Sequence, residues 1–156
     1  RSGQPERQLM LLGLLLTWLV ATVSIPSIGL NAVVVPVGLA DDGTMTAPDD
    51  PDTVGWMALN EHHVVLDGHV DWAYRLRAFG HLRDVGPGDT IMLTDSDGAE
   101  RSYTVDWTYL FDADAVPQSV YYGEGDEDTL AAITCGGVFT NGQYQGRRVV
   151  WATRQG

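Results

Sequence analysis

The chain opens on an unbroken apolar run and then changes period. Leu9 to Val23 (LMLLGLLLTWLVATV) is fifteen residues without a charge, preceded by Arg1 and Arg7. A membrane-spanning helix wants about 20 apolar residues and the core of a signal peptide about 7 to 15. Residues 1–23 are therefore predicted as an N-terminal hydrophobic helix acting as a membrane anchor, with a signal peptide or a segment packed on the domain as the alternatives. With both arginines on the cytoplasmic side, residues 24–156 are expected outside the cell.

From Ser24 the pattern reads as β. Ser24 to Leu39 (SIPSIGLNAVVVPVGL) is β-branched and apolar, with prolines suited to strand ends, and predicts one strand or two short ones before a turn at Asp41, Asp42 and Gly43. Ala47 to Asp52 is a Pro- and Asp-rich loop, His63 to His69 (HVVLDGH) a strand, and Phe79 to Asp89 a short helical turn entering a Gly-Pro-Gly bend. Thr90 to Thr94 and Arg101 to Phe111 are strands around Asp95, Ser96, Asp97 and Gly98, a hairpin signal. Asp112 to Asp128 is an acidic loop, Leu130 to Cys135 a strand, Gly136 to Gly146 a Gly-rich loop, and Arg147 to Thr153 a closing strand. Short strands at this spacing predict an all-β domain built as a closed or nearly closed barrel.

Charge narrows the partners. Of the 156 residues, 21 are acidic and nine basic, for a net charge of -12. Binding to a phosphate backbone rests on clustered Lys and Arg, so nucleic acid is not an expected partner, and an anionic lipid surface is disfavoured likewise. The basic residues are all Arg and most of the acids are Asp, a bias that suits a GC-rich coding sequence or a carboxylate-rich surface in salty surroundings. One cysteine, Cys135, excludes an internal disulfide framework and a multi-thiolate zinc site.

Cys135 ends the apolar strand AAITC and is followed by Gly136 and Gly137. A thiol at a strand end, beside glycines that let a substrate backbone approach, suits a nucleophile; a core-filling thiol is the plain alternative. Its proton-handling partner is sought among four histidines. His69 follows Gly68 at the end of another apolar strand, which places it with Cys135 at one end of the barrel. His62 and His63 adjoin Glu61 at a strand start, where solvated imidazoles are expected, and His81 falls in a polar turn. Acyl transfer also needs positive charge where the tetrahedral oxygen develops. Arg147 and Arg148 head the last strand, and because side chains alternate only one of them can point toward the thiol. A surface pair guarding an edge strand is the alternative.

Taken in order, IPSIGL, VGW, VVLDGHVD, VGPGDTI, AAITCGGVF and a downstream Tyr before RRVVWA resemble the sortases, most closely the actinobacterial-type class F with class E as a neighbour. The likeness runs from about Ser24 to Ala152. It implies an eight-stranded β-barrel outside the cytoplasm and cysteine transpeptidation: a thiol attacks the Thr-Gly bond of an LPxTG-like C-terminal sorting signal on a secreted protein, and an amine of a cell-wall precursor resolves the thioacyl enzyme. By motif, Cys135 is the nucleophile, His69 the acid and then the base, and Arg147 the group that orients or stabilises the substrate oxygen, with Arg148 beside it. Thr134, in the family's Thr-Cys pair, with Gly136, Gly137 and Arg148, is assigned to substrate binding.

The chain departs from the family in several places. The stretch between Trp56 and the histidine strand is short, Gln145 stands where an Arg is frequent, and Phe139-Thr140 replaces a frequent Phe-Asp. Asp67 occupies a position usually small or apolar; two residues before His69, it is expected on the same face, favouring the imidazolium. The acids Asp112, Asp114, Glu124, Asp126, Glu127 and Asp128 lack the EF-hand spacing and read as a solvated loop, so neither metal nor cofactor is expected. Two other readings compete: a catalytically impaired barrel that binds peptides, and an L,D-transpeptidase, whose Ser-His-Gly-Cys signature is missing because Ile133 and Thr134 precede Cys135.

Overall fold

The computed structural model describes residues 19–42 and 45–156. Eight strands close into a barrel in the order β1 (Val20–Ile25), β2 (Leu30–Pro36), β3 (Val54–Asn60), β4 (His63–Asp67), β9 (Thr129–Thr140), β10 (Gln143–Arg154), β8 (Glu100–Asp112) and β7 (Thr90–Asp95), which returns to β1. The remaining two strands, β5 (Asp71–Trp72) and β6 (Arg75–Leu76), form a small separate hairpin. Helix among the described residues is confined to single turns at Pro26–Ile28, Leu82–Asp84 and Ser119–Tyr122. The all-β closed barrel thus agrees with the expectation.

The expected N-terminal helix falls largely on residues 1–18, outside the described set. Among the described residues no helix is long and apolar enough to cross a membrane. β1 starts at Val20, four residues ahead of the expected barrel boundary, and Val20 and Val23 are buried in the core. The end of the apolar run is therefore barrel strand.

Two apolar layers hold the fold. Inside the barrel, alternate residues of every strand meet, among them Ile25, Val34, Val54, Leu66, Ile91 and Leu130. On the outer face of β4, β9 and β10 a second cluster gathers Val65, Ala131, Ile133, Val149 and Trp151 under Val120 from the Ser119–Tyr122 turn. Burial on both faces explains why AAIT and VVWA read as continuous apolar runs rather than as alternation.

Three elements differ from expectation. β3 (Val54–Asn60) forms in a stretch between the Pro- and Asp-rich loop and the histidine strand for which no element is predicted. The Gly-rich loop at 136–146 is instead a long hairpin in which β9 and β10 run on to Thr140 and from Gln143. Its two-residue turn is Asn141-Gly142, both at positive φ (53° and 76°), as a type I′ turn requires. His63 is buried rather than solvated, at 1% exposure. The Thr129 hydroxyl donates to its Nδ1 (2.7 Å), its Nε2–H donates to the Val120 carbonyl (2.7 Å), and Trp151 stacks on it, while burial holds its pKa below the ordinary value and keeps it neutral. His62 is half-exposed and pairs with Glu61 and Asp128, and His81 sits exposed against Asp84.

Candidate active site

The parallel pairing of β4 with β9 brings together residues far apart in the chain. Asp67 lies beside Ile133 in this register, and the ladder continues through Gly68 N–H to the Ile133 carbonyl (3.3 Å). His69 follows directly, clamped through its neighbours. The Thr134 hydroxyl donates to the Gly68 carbonyl (2.7 Å), and the Phe79 N–H to the His69 carbonyl (3.0 Å). The Phe79 ring lies flat against Gly68, where a Cβ would stand 2.9 Å from it. Glycine is needed at this position because the ring fills the space, and that packing fixes the backbone between Asp67 and His69.

On the other side of β9, antiparallel β10 sets Arg147 directly opposite Cys135. Opposed residues share a face, so the guanidinium and the thiol project together. Cys135 has the parity of Ala131 and Ile133, members of the outer cluster. The site therefore lies on the outer wall of the barrel, where β4 ends beside β9. Arg148 has the opposite parity, level with Thr134, and faces the inner side.

Cys135, His69 and Arg147 all line one cavity of about 550 Å³, whose walls include Met45, Tyr121 and Phe139. A volume of this size is in the range of sites for small molecules or short peptide segments. His69 Nε2 lies 2.8 Å from the Pro48 carbonyl and the ring meets Trp72 edge-on. Because a carbonyl can only accept, Nε2 carries the hydrogen and Nδ1 does not in the neutral ring. The loop supplying Pro48 is itself held by the Arg77–Asp52 ion pair (3.2 Å) and by Ala78 N–H to the Pro51 carbonyl (3.2 Å). Arg147 Nη1 donates to the carbonyls of Gly146 (2.8 Å) and Tyr144 (3.3 Å), which aims the rest of the guanidinium.

Burial pushes the Cys135 thiol above its ordinary pKa; Arg147 opposes that rise, and Asp67 and Asp71 add to it. The thiol is therefore protonated at neutral pH. Burial pushes the Asp67 carboxyl from 3.8 up to about 7, against the pull of Arg147 and a hydrogen bond from the Gly68 backbone.

That shift has a sign. An acid whose folded pKa lies above its unfolded one contributes stability fully below about pH 4 and loses it as pH rises through 7. Asp67→Asn, neutral throughout, is expected to match the parent near pH 4 and to be more stable at pH 8 by about 1–2 kcal/mol. Thermal melts across pH 4 to 8 check this. A less stable variant at pH 8 would mean that attraction to Arg147 outweighs burial.

The other sequence-selected residues have clear places. The Thr134 hydroxyl is committed to Gly68 and buried, so the side chain ties β9 to the His69 segment. Gly136 lies under Leu110, which would meet a Cβ at 3.2 Å, and Gly137 adopts φ +75° beside the register shift of the hairpin. Sequence reasoning missed Tyr144, whose hydroxyl donates to Asp71 and so joins β10 to the hairpin that follows His69. The downstream Tyr was part of the motif, but nothing marked its partner. Asp128, in the acidic loop, pairs with His62 and Arg154. Among the described residues no three His, Cys, Asp or Glu side chains gather so as to hold a metal ion.

A barrel with a thiol, an imidazole and a guanidinium around one groove defines a cysteine acyl-transfer architecture. The sortase domain model matches residues 23–155, and the chain belongs to the sortase family, a family of cysteine transpeptidases. Its fold is similar to that of a lid mutant of Sortase A from Corynebacterium diphtheriae (TM-score 0.68, 22% identity, 88% of this chain and 70% of that one). It is similar also to Sortase A from Corynebacterium diphtheriae (0.67, 23%, 88% and 61%) and to a pilus-related Sortase C of Group B Streptococcus (0.66, 17%, 88% and 67%). No curated protein matches the sequence.

Proposed function

We propose that the protein is an extracytoplasmic sortase that cleaves an LPxTG-like C-terminal sorting signal and transfers the acyl group to an amine of a cell-wall precursor. The observation that carries this reading is the shared cavity: Cys135, His69 and Arg147 line it together, from three strands or strand ends. His69 Nδ1 takes the thiol proton as sulfur attacks the Thr carbonyl carbon. Arg147 faces the oxygen that becomes negative. The same imidazole gives its proton to the departing Gly nitrogen, leaving a thioester on Cys135. An incoming amine then attacks the thioester carbon, His69 takes a proton from it, and the thiol is regenerated.

The apolar walls at Met45, Ile133, Tyr121 and Phe139 suit the Leu-Pro part of such a signal. Placement in class F, with class E as neighbour, rests on the motif string. Membrane anchoring rests on Arg1, Arg7 and the apolar run that follows.

Mass spectrometry of the protein incubated with an LPxTG-type peptide tests the reading. The expected result is an acyl adduct on Cys135 together with release of the Gly-terminated tail. Saturable peptide binding without adduct or released tail would overturn it in favour of the impaired, peptide-binding barrel.

A further inference from the structure

A second cavity, of about 140 Å³, adjoins Cys135 from the other side of the sheet. The pairing of β4 with β9 ends at Asp67 and Ile133, and Gly68 N–H adds one further bond to the Ile133 carbonyl, short of Cys135. Cys135, Thr134, Val70 and Tyr144 line both spaces. The Tyr144–Asp71 hydrogen bond stands between them, joining β10 to β5.

The two spaces differ in charge. The larger contains Asp67 and Asp71 beside Arg147. The smaller is lined by Arg83 and Arg148 and by no carboxylate, in a chain of net charge -12. Arg147 is committed to two carbonyls, whereas Arg148 Nε is buried and has no hydrogen-bond partner among the described residues. Arg83 reaches the same space from the Leu82–Asp84 turn. Ligand sites usually run from about 300 Å³ upward, so this volume suits one end of a molecule whose remainder lies elsewhere.

We propose that this chamber, with Arg148 and Arg83, receives a carboxylate borne next to the attacking amine, so that the acceptor is an amine of the amino-acid type. The inference rests on the transpeptidase reading and names its second substrate. It also gives the exchange a direction. The nitrogen that leaves the sorting signal belongs to a Gly whose carboxyl is tied up in a peptide bond and is neutral. An incoming amine with a free carboxylate would gain a charge-assisted hydrogen bond that the departing one lacks.

Two measurements test it. In the first, the acyl-enzyme formed from an LPxTG-type peptide is partitioned between glycine and glycinamide, and the ratio of the two aminolysis products is compared across the parent, Arg83→Gln and Arg148→Gln. The expected result is a glycine-to-glycinamide ratio at least about tenfold lower in each variant, the equivalent of losing one charge-assisted contact. An unchanged ratio in both variants would overturn the proposal. In the second, the arginine Nε–H resonances of the parent protein are followed by NMR during titration with glycine and then glycinamide. A saturable shift of the Arg148 signal with glycine alone is expected, and its absence would overturn the chamber's assignment. Because this second readout needs no turnover, a protein that forms no acyl-enzyme yet shows the shift would sink the transpeptidase reading and leave the carboxylate site standing.

Discussion

Cys135→Ala is expected to abolish acyl-adduct formation and to lower cleavage of an LPxTG-type peptide by at least about 10⁴-fold, the scale on which removing an essential nucleophile acts. The protein should stay folded. Cys135 is half-exposed at the end of the outer apolar cluster, and its neighbours Thr134 and Gly136 are held by their own contacts with Gly68 and Leu110. Removing one sulfur atom there deletes little buried surface, so the melting temperature should move by no more than a few degrees. Near-UV circular dichroism and thermal melts establish the fold, and the peptide assay reads the chemistry. Cleavage at the parent's rate in a folded Cys135→Ala protein would remove the thiol from the mechanism.

His69→Ala is expected to lower the same rate by about 10² to 10⁴-fold, the range for loss of a positioned acid-base group. The thiol's raised pKa makes this loss severe, since burial keeps Cys135 protonated at neutral pH and the variant has no imidazole to accept its proton. The loss should shrink as pH rises and hydroxide takes over deprotonation. The protonation of the leaving nitrogen is not replaced at high pH, so recovery should be partial. A pH-rate profile from 6 to 10 checks both parts. A variant that regains the full rate at pH 10 would show that His69 serves only as the base. The Pro48 carbonyl makes a further point about this residue. By accepting from Nε2 it fixes the tautomer before substrate arrives, so the imidazole is oriented in the free protein.

Much of this arrangement was legible from residue order. AAITC and HVVLDGH show as strands because both faces of β4 and β9 are buried and the sequence has to be apolar throughout. Alternation showed that only one of Arg147 and Arg148 could face the thiol, and the motif pointed to Arg147; the register that sets Arg147 opposite Cys135 comes from the pairing of β10 with β9. What was hidden depended on pairing that no local pattern encodes. β3 (VGWMALN) carries a Gly, an Asn and only weak alternation, and it becomes a strand because parallel β2 and antiparallel β4 flank it. The hairpin at 136–146 was read as loop on its glycine content, although Asn141-Gly142 marks a tight turn; Gly136, Gly137 and Gly146 stay in strands because Leu110 and a register shift require them there. The burial of His63 arises from Val120 and Thr129, both about sixty residues away in the chain. Asp67 was singled out as unusual in the sequence, but its burial, which pushes its carboxyl up, depends on packing that no local pattern encodes.

The parallel pairing of β4 with β9 also governs how the catalytic apparatus comes into being. All of β5 to β8 is made between these two strands, and a contact such as Thr134 to Gly68 closes a loop of 66 residues. Closing so long a span is slow and is compensated only when the barrel completes. A chain in which only the β9–β10 hairpin has formed carries Cys135 beside Arg147 but no imidazole, so His69 joins them only when β4 docks on β9.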